Sequence, residues 1–143
     1  MKMGLTVLAI VFLGSYLIGS LLKNNKQAEF IVHNSTCDLL VEKCRIQNKG
    51  IEYEIAFDGV PSPLTPFNVR FTAFSSQPSN VKIEFEMEGM DMGSNFYTLE
   101  NKEGYWDANV LLPICSLGRN DWILRVSVLN DEKTYLSEFK FSQ

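Results

Sequence analysis

Val81-Lys82-Ile83-Glu84-Phe85-Glu86-Met87-Glu88 alternates apolar and charged residues over eight positions without a break. Successive side chains of a strand point to opposite faces, so this period of two predicts a strand with one buried and one wet face. The same alternation recurs on both sides. Ile51, Tyr53, Ile55 and Phe57 alternate with Glu52, Glu54 and Asp58, and Val69, Phe71 and Ala73 alternate with Arg70 and Thr72. Pro61, Pro63 and Pro66 interrupt the pattern between them. Further runs cover 95–100, 104–112, 121–129 and 134–142, separated by Met92-Gly93-Ser94, Glu103-Gly104, Leu117-Gly118-Arg119-Asn120 and Asn130-Asp131. Short alternating strands with turns at regular intervals predict an all-β domain over 50–143, a sandwich or barrel of about seven strands. Residues 24–49 are polar, hold Cys37 and Cys44, and read as a tether with a short clipped loop.

The first segment is of another kind. Residues 3–22, MGLTVLAIVFLGSYLIGSLL, contain no charge. Twenty helical residues span about 30 Å, the thickness of a hydrocarbon core, so 1–23 reads as a transmembrane anchor. A cleaved secretory signal is the alternative, but its apolar core is shorter and ends in a small-x-small site. Gly19 and Ser20 are followed at once by Leu21 and Leu22. With Lys2 on one side and Lys23 and Lys26 on the other, loop charge barely sets the orientation.

Composition removes several functions. Of 143 residues, 45% are hydrophobic and 21% charged, as in an ordinary folded domain. Beyond Lys23, 11 basic residues face all 17 acids, a net charge of −6. Nucleic-acid binding needs clustered Lys and Arg, and there is no such stripe. The only histidine, His33, lies in the tether and reads as an exposed linker residue. That histidine is far in sequence from any candidate nucleophile, so no plausible Ser-His-Asp triad is offered, and no C-x-x-C, phosphate loop or dinucleotide motif occurs. The expectation is a protein that is not an enzyme.

Met87-Glu88-Gly89-Met90-Asp91-Met92-Gly93 stands out, with three of five methionines in six residues at the end of the cleanest strand. Cys115 adds a sulfur at the end of another run, Leu112-Pro113-Ile114-Cys115. Thioether and thiolate donors are soft and select Cu(I) over hard ions. Met87 lies on the inward phase of its strand and equally reads as core. Met90 and Met92 sit in a glycine-flanked turn where burial gains little. A buried, inert thiol is the plain reading of Cys115.

The anchor, the Met-x-Gly-Met-x-Met-Gly turn and the later Leu-Pro-x-Cys resemble the FixH and YtkA-like group of small anchored bacterial proteins. The match is closer to an uncharacterised bacterial family of similar length, whose pattern falls here on Cys37 with Cys44, on Met87, Met90, Met92 and Gly93, on Leu112, Pro113, Cys115, Gly118 and Arg119, and on Trp122. The resemblance implies a single-pass bacterial inner-membrane protein with an immunoglobulin- or cupredoxin-like domain in the periplasm. It also implies a role in copper handling or respiratory oxidase assembly, with those membrane proteins as partners. Copper-delivery domains usually add histidine, and none lies near this turn. A sulfur-only Cu(I) site of Met90, Met92 and Cys115, with Met87 as a fourth candidate, is therefore expected rather than a Cu(II) site. The other reading is a metal-free interaction module that docks through the same methionine turn, because methionine surfaces are adaptable binders.

Three cysteines leave at least one unpaired. In one straight helix Cys37 and Cys44 would lie about 10 Å apart along the axis, beyond the roughly 7 Å a disulfide tolerates between Cα atoms. A bent loop closed by a Cys37–Cys44 bridge is expected. Two reduced thiols, or pairing of either with Cys115, are the alternatives.

Overall fold

The structure is a computed structural model that describes residues 30–48, 50–90, 93 and 95–143. The expected anchor over 3–22 lies outside the described residues. Ten strands and no helix are found among the described residues: β1 (Phe30–Ser35), β2 (Cys44–Asn48), β3 (Ile51–Asp58), β4 (Phe67–Ala73), β5 (Asn80–Glu86), β6 (Phe96–Thr98), β7 (Glu100–Lys102), β8 (Tyr105–Val110), β9 (Asp121–Asn130) and β10 (Lys133–Ser142). They form two five-stranded sheets, ordered β1-β10-β9-β5-β6 and β2-β3-β4-β8-β7. The all-β sandwich read from the alternation is thus the architecture observed.

The buried residues follow the period of two. Val81, Ile83 and Phe85 of β5 face Ile51, Tyr53 and Ile55 of β3 and Phe67, Val69 and Phe71 of β4 across a single core. Trp122, Leu124, Val126 and Val128 of β9 fill the first sheet's inner face, with Tyr135, Phe139 and Phe141 of β10. Apart from the buried Asn130 and Ser137, the strands keep their polar residues outward. Arg125, for example, pairs with Glu86 at 2.5 Å and Glu138 at 2.7 Å on the outer face of the first sheet.

Two sequence expectations change. The segment read as a tether contributes two strands. β1 runs parallel to β10, from Phe30↔Thr134 to Ser35↔Phe139, and β2 pairs antiparallel with β3. His33 is accordingly a half-buried strand residue opposite Ser137, not an exposed linker residue. Both strands lie at sheet edges, where a short polar stretch needs only one hydrogen-bonding neighbour. The single run at 95–100 is two strands, because the chain passes from one sheet to the other at Leu99. That residue is buried, and its amide donates to the Val81 carbonyl at 2.9 Å.

The strand directions sort the loops. One end of the sandwich carries the hairpin turn at 131–132, the turn at 103–104 and the loop at 74–79, and Phe30 begins there opposite Thr134. The other end carries the connections 36–43, 59–66, 87–95 and 111–120 and the end of β10. At this second end Cys37 and Cys44 form a disulfide with Cα atoms 5.8 Å apart, closing the turn that carries the chain from β1 in one sheet to β2 in the other.

The core aromatic Tyr53 carries a hydroxyl. The Tyr53 ring stacks on Phe71 with centroids 4.7 Å apart, but its hydroxyl is buried without a well-formed hydrogen bond. Burial pushes its pKa up to about 12, and the neighbouring Ser137 hydroxyl offsets this only in part. A folded-state pKa raised from 10.0 to about 12 means the unfolded chain loses its proton first. Stability is therefore full below pH 10 and falls as pH rises toward 12, by about 3 kcal/mol in all. Tyr53→Phe should abolish that alkaline loss while leaving neutral-pH stability unchanged or slightly higher, since the orphaned hydroxyl goes. Urea midpoints of both proteins at pH 9 and 11.5 test this, and equal slopes with pH would refute it.

Candidate functional site

The strand β5 delivers Met87 to the second end of the sandwich. Met87 continues the inward phase of Val81, Ile83 and Phe85 and is 2% exposed, so its side chain belongs to the core. The chain then turns back within four residues. The Met90 amide donates to the Met87 carbonyl at 3.1 Å, and the two residues form an antiparallel bridge. Gly89 takes φ +70° at the third position of this turn, where a type II turn needs positive φ. Met90 ends half-buried against the core.

Cys115 arrives from the other sheet. It does not close a strand, as its run suggested, but lies in the loop beyond β8. That loop is fixed at several points. The Tyr97 hydroxyl donates to the Leu111 carbonyl at 2.9 Å and accepts from the Leu111 amide at 3.1 Å. The Leu64 amide donates to the Leu112 carbonyl at 3.1 Å. A turn follows, in which the Gly118 amide donates to the Cys115 carbonyl at 3.0 Å. Arg119 then reaches back, donating from Nη1 to the Glu88 carbonyl at 3.0 Å while it pairs with the Asp121 carboxylate.

These constraints set two sulfurs side by side. The Cys115 thiol donates to the Met90 thioether with Sγ and Sδ 3.5 Å apart. Cys115 is the free cysteine among the described residues and is 7% exposed. Of the four expected ligands, then, Met90 and Cys115 are brought together, Met87 lies in the core beside their turn, and Met92 falls outside the described residues. No group of three or more His, Cys, Asp or Glu side chains suited to a metal occurs among the described residues.

The electrostatics centre on Arg119. Its hydrogen bonds to Asp121 raise the guanidinium above its ordinary value, partly opposed by burial and helped by attraction to Asp121, Cys115 and Glu88. The same bonds hold the Asp121 carboxyl below its usual range. Arg119 thus latches the turn at Glu88 to the start of β9 at Asp121. Sequence reasoning carried Arg119 only as part of the shared pattern, with no role given to it, and missed Tyr97 altogether. The Leu-Gly-Arg turn was the available signal for Arg119.

No family model matches the chain, and no curated protein matches it. A solved structure similar to it is the crystal structure of an engineered protein at 1.98 Å, with a TM-score of 0.48 and 16% identity over 64% of this chain. The chain spans about a fifth of that structure's length, the matched share being 20%.

Proposed function

We propose that this protein is a membrane-anchored, extracytoplasmic binding protein that holds Cu(I) between Met90 and Cys115, with Met92 as a further donor and no catalytic role. The observation that carries the reading is the 3.5 Å contact between Cys115 Sγ and Met90 Sδ, made by residues 25 positions apart on two different connections. With metal–sulfur bonds of about 2.3 Å, sulfurs sit about 3.8–4.0 Å apart around a tetrahedral or trigonal ion. Around a linear ion they sit about 4.6 Å apart. The observed pair is a few tenths of an ångström from the first arrangement and about 1 Å from the second. Soft thioether and thiolate donors suit a d¹⁰ ion, and Glu88 is a hard oxygen donor that does not. When bound, Cu(I) supplies a soft, exchangeable cargo. The residues of the chain position the two sulfurs, and Arg119 ties the Glu88 carbonyl of the methionine turn to Asp121.

Compartment and fold fit this reading. A disulfide persists in oxidising surroundings such as the periplasm, and the Cys37–Cys44 bridge accords with residues 3–22 as an uncleaved inner-membrane anchor. The order of strands from β3 onward, with crossings between sheets at 74–79, at Leu99 and at 111–120, follows that of variable-type immunoglobulin sandwiches. On this reading the chain belongs with FixH and YtkA-like accessory proteins of copper handling or oxidase assembly.

The test is competition of the full chain against a Cu(I) chelator under a mild reductant that leaves the disulfide closed. Loss of outer-shell partners alone costs about 10–100-fold in metal affinity. Cys115→Ser is therefore expected to weaken binding at least about 100-fold, and Met90→Leu about 10-fold. Equal, weak copper retention by wild type and by the Met90/Met92/Cys115 triple variant would reject the site. The metal-free docking module then stands, favoured by the exposed Ile114 and Leu117 next to the turn.

A further inference from the structure

Lys82 and Glu84 stand on the outer face of β5, two residues apart and about 6.6 Å along the strand. Neither has an ion-pair partner among the described residues. Arg125, the cation opposite Glu84 on β9, is already held by Glu86 and Glu138, and Lys140 on the same face is held by Glu88. The outer face of the first sheet therefore carries, side by side, one unpaired charge of each sign.

Register sets their neighbours. One row across the sheet runs Leu136, Ser127, Lys82 and Thr98, and the next runs Glu138, Arg125, Glu84 and Phe96. Between the rows lies an open hollow of about 330 Å³, lined by Lys82, Glu84, Phe96, Arg125, Ser127 and Leu136. Phe96 stands 60% exposed at its rim on the edge strand β6. Leu129, two positions beyond Ser127 on the same face of β9, is 38% exposed. Apolar side chains grouped in water and rimmed by charge mark a contact surface.

The signs decide what meets this surface. A hollow lined by an unpaired cation and an unpaired carboxylate favours neither an anion nor a cation. It matches a surface that presents the same two charges in reverse order, and this chain is such a surface. A two-fold axis lying in the face and crossing the strands between the two rows lays each row on the other row of a second copy, the self-complementary contact of a two-fold dimer. Lys82 of each copy then meets Glu84 of the other. Phe96 of each covers Thr98 of the other, and the two Phe96 rings lie side by side. The short Ser127 leaves room for Arg125 of the other copy. Leu136 packs on the methylenes of Glu138, whose carboxylate stays with Arg125 of its own chain.

We infer that the chain forms a two-fold dimer through the outer face of the first sheet, with a Lys82–Glu84 pair on either side of the axis. The contact uses neither Met90 nor Cys115, so it stands whether or not copper is bound. The strands β5, β9 and β10, each of seven residues or more, present roughly 350 Å² in plan at a spacing of about 4.8 Å. A standard interface buries about 800 Å² on each partner, which places this pair among weak, transient contacts.

The test is sedimentation velocity of the full chain in detergent, from low to high micromolar concentration. Wild type is expected to pass from monomer to dimer. Lys82→Glu alone and Glu84→Lys alone each set like charges opposite one another, and each should weaken the dimer at least about 10-fold. An equimolar mixture of these two variants restores both pairs and should dimerise as wild type does, a recovery that a folding defect would not give. Phe96→Ala should weaken association about 10-fold and leave the urea midpoint of the dilute protein in place. Three results overturn the inference: a chain that stays monomeric at high micromolar concentration, a dimer that every variant retains, as pairing through residues 3–22 would give, and two weakened variants that do not recover on mixing.

Discussion

Phe85→Ala is expected to cost about 3–5 kcal/mol, the range for emptying a buried aromatic site. Phe85 is fully buried in β5, and its ring lies within 6.0–6.5 Å of Phe67, Tyr97, Phe141 and Phe57. Phe57 and Phe67 belong to one sheet and Tyr97 and Phe141 to the other, so this one ring joins the two layers. A void there removes the ring common to all four, leaving Phe57, still against Phe67, in contact with Phe141 as the remaining aromatic link between the layers. Small domains have about 5–15 kcal/mol in all, so much of the population should unfold near physiological temperature. Phe96→Ala is the control: that ring is 60% exposed on the same sheet and should change stability by about 0.5 kcal/mol or less. Urea unfolding of the two variants separates them. Comparable midpoints would show that the aromatic cluster does not hold the sheets together. Because Met87 lies two residues beyond Phe85 on the same inward phase, the variant should also loosen the sulfur pair.

Opening the Cys37–Cys44 bridge should have the next largest effect. It joins residues seven apart and, in the loop-entropy account, stabilises by about 2–3 kcal/mol. Its position gives the loss a location. β1 is an edge strand paired only with β10, and the bridge ties its far end to the start of β2 in the other sheet. The double replacement Cys37→Ala/Cys44→Ala should therefore speed amide exchange in 31–35 first, while β9 and β5 stay protected. Cys115→Ala should leave that pattern intact. Uniform acceleration across both sheets would place the bridge's contribution elsewhere. Non-reducing peptide mapping gives the pairing directly.

The central strands were legible in the sequence because their burial is one-sided and their period uninterrupted, as in Val81 to Met87 and in Ile51 to Ile55. The edges were not. Asn34, Ser35, Arg45 and Gln47 are polar because an edge strand has little buried face to declare, and the pairing that makes them strands is supplied by distant neighbours. The sheet change at Leu99 was invisible for the opposite reason, since alternation continues through it. At the site, sequence marked Met90 and Cys115 by their chemistry, and Met87 by its inward phase. It did not contain the latch. Arg119 reaches a backbone carbonyl, and Tyr97 clamps both backbone groups of Leu111, and main-chain partners leave no trace in residue type.

The parallel pairing of β1 with β10 has a mechanical side. Tension applied between Phe30 and the sulfur-bearing end runs along the strands, so it loads the six paired positions of β1 together, in shear, rather than peeling them one by one. A hairpin pulled from its open end would unzip at far lower force. The disulfide sits where the sheared strand leaves the sheet, so slippage of β1 is stopped by a covalent bond before it reaches β2. The sandwich is thereby built to bear load along its strands.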